Sequence, residues 1–172
     1  SDAPIGVQRL DAASFVAGNL SSHHGGRREL GFLKPLMSRD FLTKHRLSYD
    51  PQIRLGEDYV LYTRALISGA RFVLTDALGY SAVVRPGSLS GRHPTEAHER
   101  LILADQAMLA LPEVDLPTRT ALQNHLMEQR KKWAWRRLID AKGEADPSAA
   151  LACFWAPPAV IADLLARLWR EV

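Results

Sequence analysis

Only one cysteine, Cys153, occurs in the 172 residues. That excludes an internal disulfide and a zinc site built on several thiolates. No apolar run reaches the roughly eighteen residues that a membrane-spanning helix needs. The opening Ser1-Asp2-Ala3-Pro4 lacks the basic and apolar regions of a secretory signal, so the expected location is cytoplasmic. Gly-x-Gly-x-x-Gly, Gly-x-x-x-x-Gly-Lys and Asp-x-Asp are all missing. The chain therefore carries neither a loop that cradles phosphates nor a paired-aspartate metal motif. No internal repeat, low-complexity stretch or clear linker divides it.

What is present is a composition near the soluble globular average, 47% hydrophobic and 24% charged, with a net charge of +3. A chain of this length forms about one domain with a real core. The mild positive charge does not by itself indicate nucleic acid.

Residues 11–17 read as a short helix ended by Gly18-Asn19, followed by a polar loop over 21–28 that includes His23-His24. Leu30 to Met37 reads as a strand-like run interrupted by Pro35. Ser38 is an N-cap for a helix to about His45, with Phe41 and Leu42 inward. From Glu57, apolar residues at 60, 61, 65 and 66 recur at helical spacing until Ser68-Gly69. Two β-like runs, 71–75 and 79–84, fit a hairpin across Asp76 to Leu78. Helices follow from Thr95 to Leu111, from Leu116 or Thr118 to about Lys142, from Ser148 to Phe154, and from Pro157-Pro158 onward. A mixed first half and a helical second half make an α+β fold with few short strands. The expected division is residues 1–92 as the site-bearing part and 93–172 as a helical extension packed on it.

The stretch Gly56-Glu57-Asp58 sets two adjacent carboxylates at a helix start. Acids in a first helical turn are favoured by the macrodipole by about 0.3–1 kcal/mol each, so their presence alone needs no chemistry. Their surroundings carry more. The order Gly31-Phe-Leu-Lys-Pro-Leu-Met-Ser-Arg-Asp-Phe-Leu42, Tyr49-Asp50, Gly56-Glu-Asp-Tyr59, Gly69-Ala-Arg-Phe72, Tyr80 and Arg85-x-Gly-Ser-Leu-Ser90 resembles the C-terminal, acceptor-side half of a family 2 glycosyltransferase. That family has the GT-A fold, and the likeness is nearest to bacterial exopolysaccharide transferases of the succinoglycan type. It covers residues 28–92, more loosely 1–27, and does not extend visibly past 95.

The resemblance implies that Asp58 is the general base of an inverting transfer from a nucleotide sugar, and that Glu57 orients the loop or the acceptor. It puts Arg85 near the donor diphosphate, Ser88 and Ser90 as donors to the phosphate or the acceptor, and Lys34 toward the acceptor or the diphosphate. For Arg85 the alternative is a solvated arginine on a Pro-Gly turn, and for Lys34 a side chain snorkelling from an edge. The family's nucleotide-binding half, with an Asp-x-Asp motif that holds Mg or Mn, has no counterpart in this sequence. No cofactor or metal site is therefore expected within the chain, and residues 1–172 alone are expected to transfer sugar poorly.

The run Gln129-Arg-Lys-Lys-Trp-Ala-Trp-Arg-Arg137 is the strongest basic patch. It reads as the solvated side of a packed helix whose apolar face holds Leu122, Leu126 and Trp133, beside Met127, Ala134 and Leu138. Peripheral contact with the inner membrane between Arg130 and Arg137 is the next reading, ahead of nucleic acid, which is not expected as a partner. His93 and His98 are poorly spaced for shared ligation, and His98 is expected on a helix surface. The expected partners are a nucleotide-sugar donor and a glycan or lipid-linked acceptor. The contrasting expectation is a non-enzymatic α+β module that binds a partner or a membrane through its basic helix.

Overall fold

The computed structural model describes residues 6–21, 30, 33–76 and 93–171. In chain order these form β1 (Gln8–Leu10), α1 (Ala12–Ala17), α2 (Arg39–Lys44), α3 (Glu57–Ile67), β2 (Phe72–Leu74), α4 (Thr95–Leu109), α5 (Leu116–Gly143), α6 (Pro147–Ala152) and α7 (Pro158–Glu171). The fold is α+β, with a helical second half and one small antiparallel sheet among the described residues.

Short polar side chains start most of these helices. Asp11 Oδ1 accepts from the Ser14 N–H at 2.7 Å, Ser38 Oγ from Phe41 at 3.3 Å, and Asp115 Oδ1 from Thr118 at 2.9 Å. Asp146 Oδ1 accepts from the backbone of both Ser148 and Ala149. Each satisfies amide donors that the first turn leaves without a helical partner. Helix α3 starts differently: Gly56 occupies the cap position at φ 72° with no side chain to offer.

Two strands expected from the sequence come out otherwise. Residues 33–38 have no regular structure, consistent with Pro35 offering no N–H to a ladder. Strand β2 pairs with β1, Leu10 opposite Phe72 and Gln8 opposite Leu74. The three-residue strand β1 shows no alternation, so nothing in its sequence announced it. The proposed partner run 79–84 and the polar loop with His23-His24 lie outside the described residues. At the other end, Gly143 is the last residue of α5 rather than the residue after it, and α6 stops at Ala152.

Helix α3 is the hub of the first core. Seven of its eleven residues are buried, Tyr59 through Thr63 together with Ala65 and Leu66, so it is covered nearly all round. Phe15 of α1, fully buried, contacts the rings of Tyr59, Tyr62 and Phe72. Leu101 and Met108 of α4 and Ala121 and Leu122 of α5 complete that core. At 28 residues, α5 extends about 42 Å and outruns it. Its second half supports a second cluster in which Ala134 meets Cys153, Val160 and Leu164.

Candidate active site

The first turn of α3 sends three consecutive side chains to three different places, because successive helical residues are rotated by about 100°. Glu57 is exposed and borders a cleft of about 290 Å³ between α3 and α4. The polar edge of the cleft is Ser48, Asp50 and Arg64, and Leu61 and Met108 lie among its apolar lining. Asp58 turns toward Lys34, Tyr49 and Tyr62. Tyr59 points into the core.

Asp58 is the centre of a polar constellation. Its Oδ1 accepts a 2.7 Å hydrogen bond from the Tyr49 hydroxyl, and the Tyr62 hydroxyl lies 3.1 Å from the same oxygen. The Tyr62 oxygen is also 3.2 Å from the Leu33 carbonyl, so its single proton serves one acceptor at a time. Oδ2 receives Lys34 Nζ at 3.1 Å. Lys34 is 57% exposed and the Asp58 side chain 20%. The ion pair is therefore worth little as a stabiliser, but the carboxylate is held in one orientation and can still be reached from solvent.

Both phenols favour their protonated form. The hydrogen bond to Asp58 is the chief cause that raises the pKa of Tyr49, with burial second. For Tyr62 burial leads, followed by its neighbours Tyr49 and Asp58. Each therefore keeps its hydroxyl proton across the neutral range.

Behind this surface lies a buried chain of polar groups that the sequence reading missed. The Tyr59 hydroxyl donates to Asp105 Oδ1 at 2.9 Å, and His125 Nδ1 is 2.7 Å from Asp105 Oδ2. His125 Nε2 is 3.3 Å from Gln129 Nε2, and Gln129 Oε1 is 3.4 Å from His98 Nδ1. One assignment satisfies every member: His125 donates from Nδ1 and accepts at Nε2 from the Gln129 amide, whose oxygen accepts from His98. The Tyr59 and His125 rings stack at 4.2 Å. His98, expected on the surface, is instead half-buried against α5, and this burial lowers its pKa. The available signal was Asp105 four residues after Leu101, and His125 between Leu122 and Leu126, on faces otherwise apolar.

The structure thus brings Lys34 and Asp58 together and turns Glu57 to the neighbouring cleft. Arg85, Ser88 and Ser90 lie outside the described residues. Among the described residues no group of three or more His, Cys, Asp or Glu is placed to hold a metal ion, and no helix is long and apolar enough to cross a membrane. The basic run of α5 is partly engaged. Lys132 pairs with Glu128 at 2.6 Å, Arg136 donates to the His93 carbonyl, and Arg137 lies over the Trp133 ring at 5.4 Å.

The chain is similar to succinoglycan biosynthesis protein ExoU of Rhizobium meliloti (strain 1021), 42% identical over 162 residues. That match covers 94% of this chain and 47% of ExoU. It is also similar to succinoglycan biosynthesis protein ExoO of the same organism, 32% identical over 105 residues, 60% of this chain and 29% of that protein. The chain thus spans half or less of the curated relatives that it matches. No family model matches it, and no solved structure does.

Proposed function

We propose that this chain is the acceptor-side part of an inverting, nucleotide-sugar-dependent glycosyltransferase of the GT-A, family 2 type, acting in exopolysaccharide or surface-glycan assembly, with Asp58 as its general base. One observation carries the reading: a solvent-reachable carboxylate at a helix start, oriented by Tyr49 and Tyr62 and flanked by the Lys34 cation. The names of the two similar proteins supply the biological setting.

In this mechanism an acceptor hydroxyl donates a hydrogen bond to the lone pair of Asp58 Oδ2 that Lys34 leaves open. As its oxygen attacks the anomeric carbon, the proton passes to Asp58. The bond from that carbon to the diphosphate breaks on the opposite side, and its electron pair departs with the nucleoside diphosphate. Attack opposite the leaving group inverts the configuration. Tyr49 and Tyr62 hold the carboxylate plane through the transfer, and the cleft beside Glu57 receives the body of the acceptor. Arg85 is assigned to the donor diphosphate by resemblance, and Ser88 and Ser90 to the phosphate or the acceptor. Mg or Mn would supply charge neutralisation at the diphosphate when held by an Asp-x-Asp half.

The test uses a longer protein that contains this segment. Asp58→Asn is expected to lower sugar transfer by about 10²–10⁴-fold while the circular dichroism spectrum and donor affinity are retained. Undiminished transfer by that variant refutes the assignment. Efficient transfer by residues 1–172 alone would refute the need for a separate donor half.

A further inference from the structure

We infer that Arg64 selects an acceptor glycan that carries an anionic group, and holds that group at the end of the cleft away from Glu57. This names the chemistry of the acceptor for the site proposed above, and it rests on that reading for which molecule enters the cleft.

The cleft has two polar ends. Glu57 and Arg64 both line it from α3, seven residues apart. At about 100° and 1.5 Å per residue they face nearly the same way, about 10.5 Å apart along the axis. That is too far for them to pair with each other. Val60 and Leu61 lie between them, and Ala104 and Met108 of α4 form the other wall. A volume of about 290 Å³ is at the lower end for small-molecule sites, which suits a short stretch of glycan.

Arg64 is a cation that lacks a partner. The residues three and four away on its helix side, Val60, Leu61, Ile67 and Ser68, include no acid. Among the described residues its guanidinium takes part in no ion pair or side-chain hydrogen bond. A cation in the last turn of a helix suits the dipole. That accounts for an arginine at this position, but not for a half-buried one whose head lines a cleft.

Asp50, the second acid of the cleft, already has a structural part, because its Oδ1 accepts from the Gln52 N–H at 2.9 Å in the turn before α3. Glu57 is left to accept from sugar hydroxyls near Asp58, and the five N–H donors of Arg64 are left to meet an anion. A guanidinium matches a phosphate or a carboxylate with two parallel hydrogen bonds, which a neutral hydroxyl cannot return. Asp58 lies six residues before Arg64, about 9 Å along the axis. The anion therefore belongs to a part of the acceptor beyond the hydroxyl that reacts.

An NMR titration of the 172-residue chain tests this, following the Arg64 Nε–H and the amides of Leu61 and Met108. The probes are glucose 6-phosphate, glucuronate, glucose and inorganic phosphate. At least one of the two anionic sugars is expected to shift these signals and to bind more tightly than glucose or inorganic phosphate. Preference for glucose 6-phosphate identifies the anion as a phosphate ester, and preference for glucuronate identifies it as a carboxylate. Arg64→Met keeps the aliphatic stem, and is expected to retain the thermal melt and bind the preferred sugar about tenfold more weakly or worse. In a longer protein that transfers sugar, the same variant is expected to raise KM for the acceptor about tenfold with kcat nearly unchanged, whereas Asp58→Asn lowers kcat. Normal transfer by Asp58→Asn, together with loss of the probe by Arg64→Met, would refute the base and leave the anion site standing. The inference is overturned if no probe shifts the signals, or if glucose or inorganic phosphate binds as well as the anionic sugars. Undiminished binding by Arg64→Met overturns it too.

Discussion

Asp105 is fully buried and accepts from Tyr59 and His125, so three helices meet at one carboxylate. Buried polar groups of this kind cost little while every member is satisfied, and a great deal once one partner is removed. Asp105→Ala leaves a phenol and an imidazole N–H in the core without an acceptor. We expect it to destabilise the chain by about 3–5 kcal/mol in urea unfolding; a loss below about 1 kcal/mol would show that water replaces the carboxylate freely. Asp58 presents the opposite case. Its carboxylate is partly exposed, so Asp58→Asn is expected to change stability by less than about 1 kcal/mol. The contrast makes the functional test interpretable: a carboxylate whose loss hardly affects folding is dispensable to the structure, and a loss of activity then reports on chemistry.

Helix α3 depends on its cap residue, Gly56, being able to turn the chain into it. Gly56 has φ 72°, a left-handed conformation that costs an L side chain about 1–2 kcal/mol. A β-carbon there would also lie 3.3 Å from both terminal methyls of Leu101, which would have to give way. Gly56→Ala is expected to lower the unfolding free energy by at least about 1 kcal/mol and to disturb Glu57, Asp58 and Tyr59 together. Thermal melting checks the first expectation. Chemical shifts of the Tyr49 and Tyr62 rings check the second, and unchanged shifts would show that the helix start is set elsewhere. The same glycine gave the sequence its clearest local signal. A residue that permits the turn, two acids suited to the dipole and a periodic apolar run all agreed on where α3 begins.

Two buried phenols, Tyr59 and Tyr62, bear on how the whole molecule responds to alkaline pH. Tyr59 is raised well above its ordinary 10.0, first by burial and then by Asp105. Tyr62 and Tyr49 are raised as well. A phenol whose folded pKa exceeds its unfolded value contributes stability that is fully present below the unfolded value. Above about pH 10 the unfolded chain releases these protons and the folded chain keeps them, so stability falls as the pH rises further. Chemical denaturation between pH 8 and 11 should show a flat region followed by a steep loss. Stability that stays constant to pH 11 would mean that Tyr59 and Tyr62 are less enclosed than the packing around Phe15 implies. The helix caps act at the other end of the scale. Asp11, Asp115 and Asp146 are held below 3.8 chiefly by their cap hydrogen bonds, and their contribution is lost as the pH falls below that value.

The helices and their starts, with the two acids that open α3, were legible from residue order alone, because helical periodicity, caps and the macrodipole act within a few residues along the chain. Four of the seven helices among the described residues are marked by an aspartate or serine cap that the structure uses. What only the tertiary structure decided was pairing across the chain. Strand β1 found β2 over sixty residues away, and neither three-residue strand carries a signal naming its partner. Asp105 joined His125 and Tyr59 because α3, α4 and α5 converge, a fact of packing that no local spacing encodes. Tyr49 and Lys34 reached Asp58 in the same way, whereas Tyr62, four residues along α3, meets it by helical spacing. The acid was visible as a carboxylate at a helix start, while Lys34 and Tyr49 came to it from segments which only the folded core brings together.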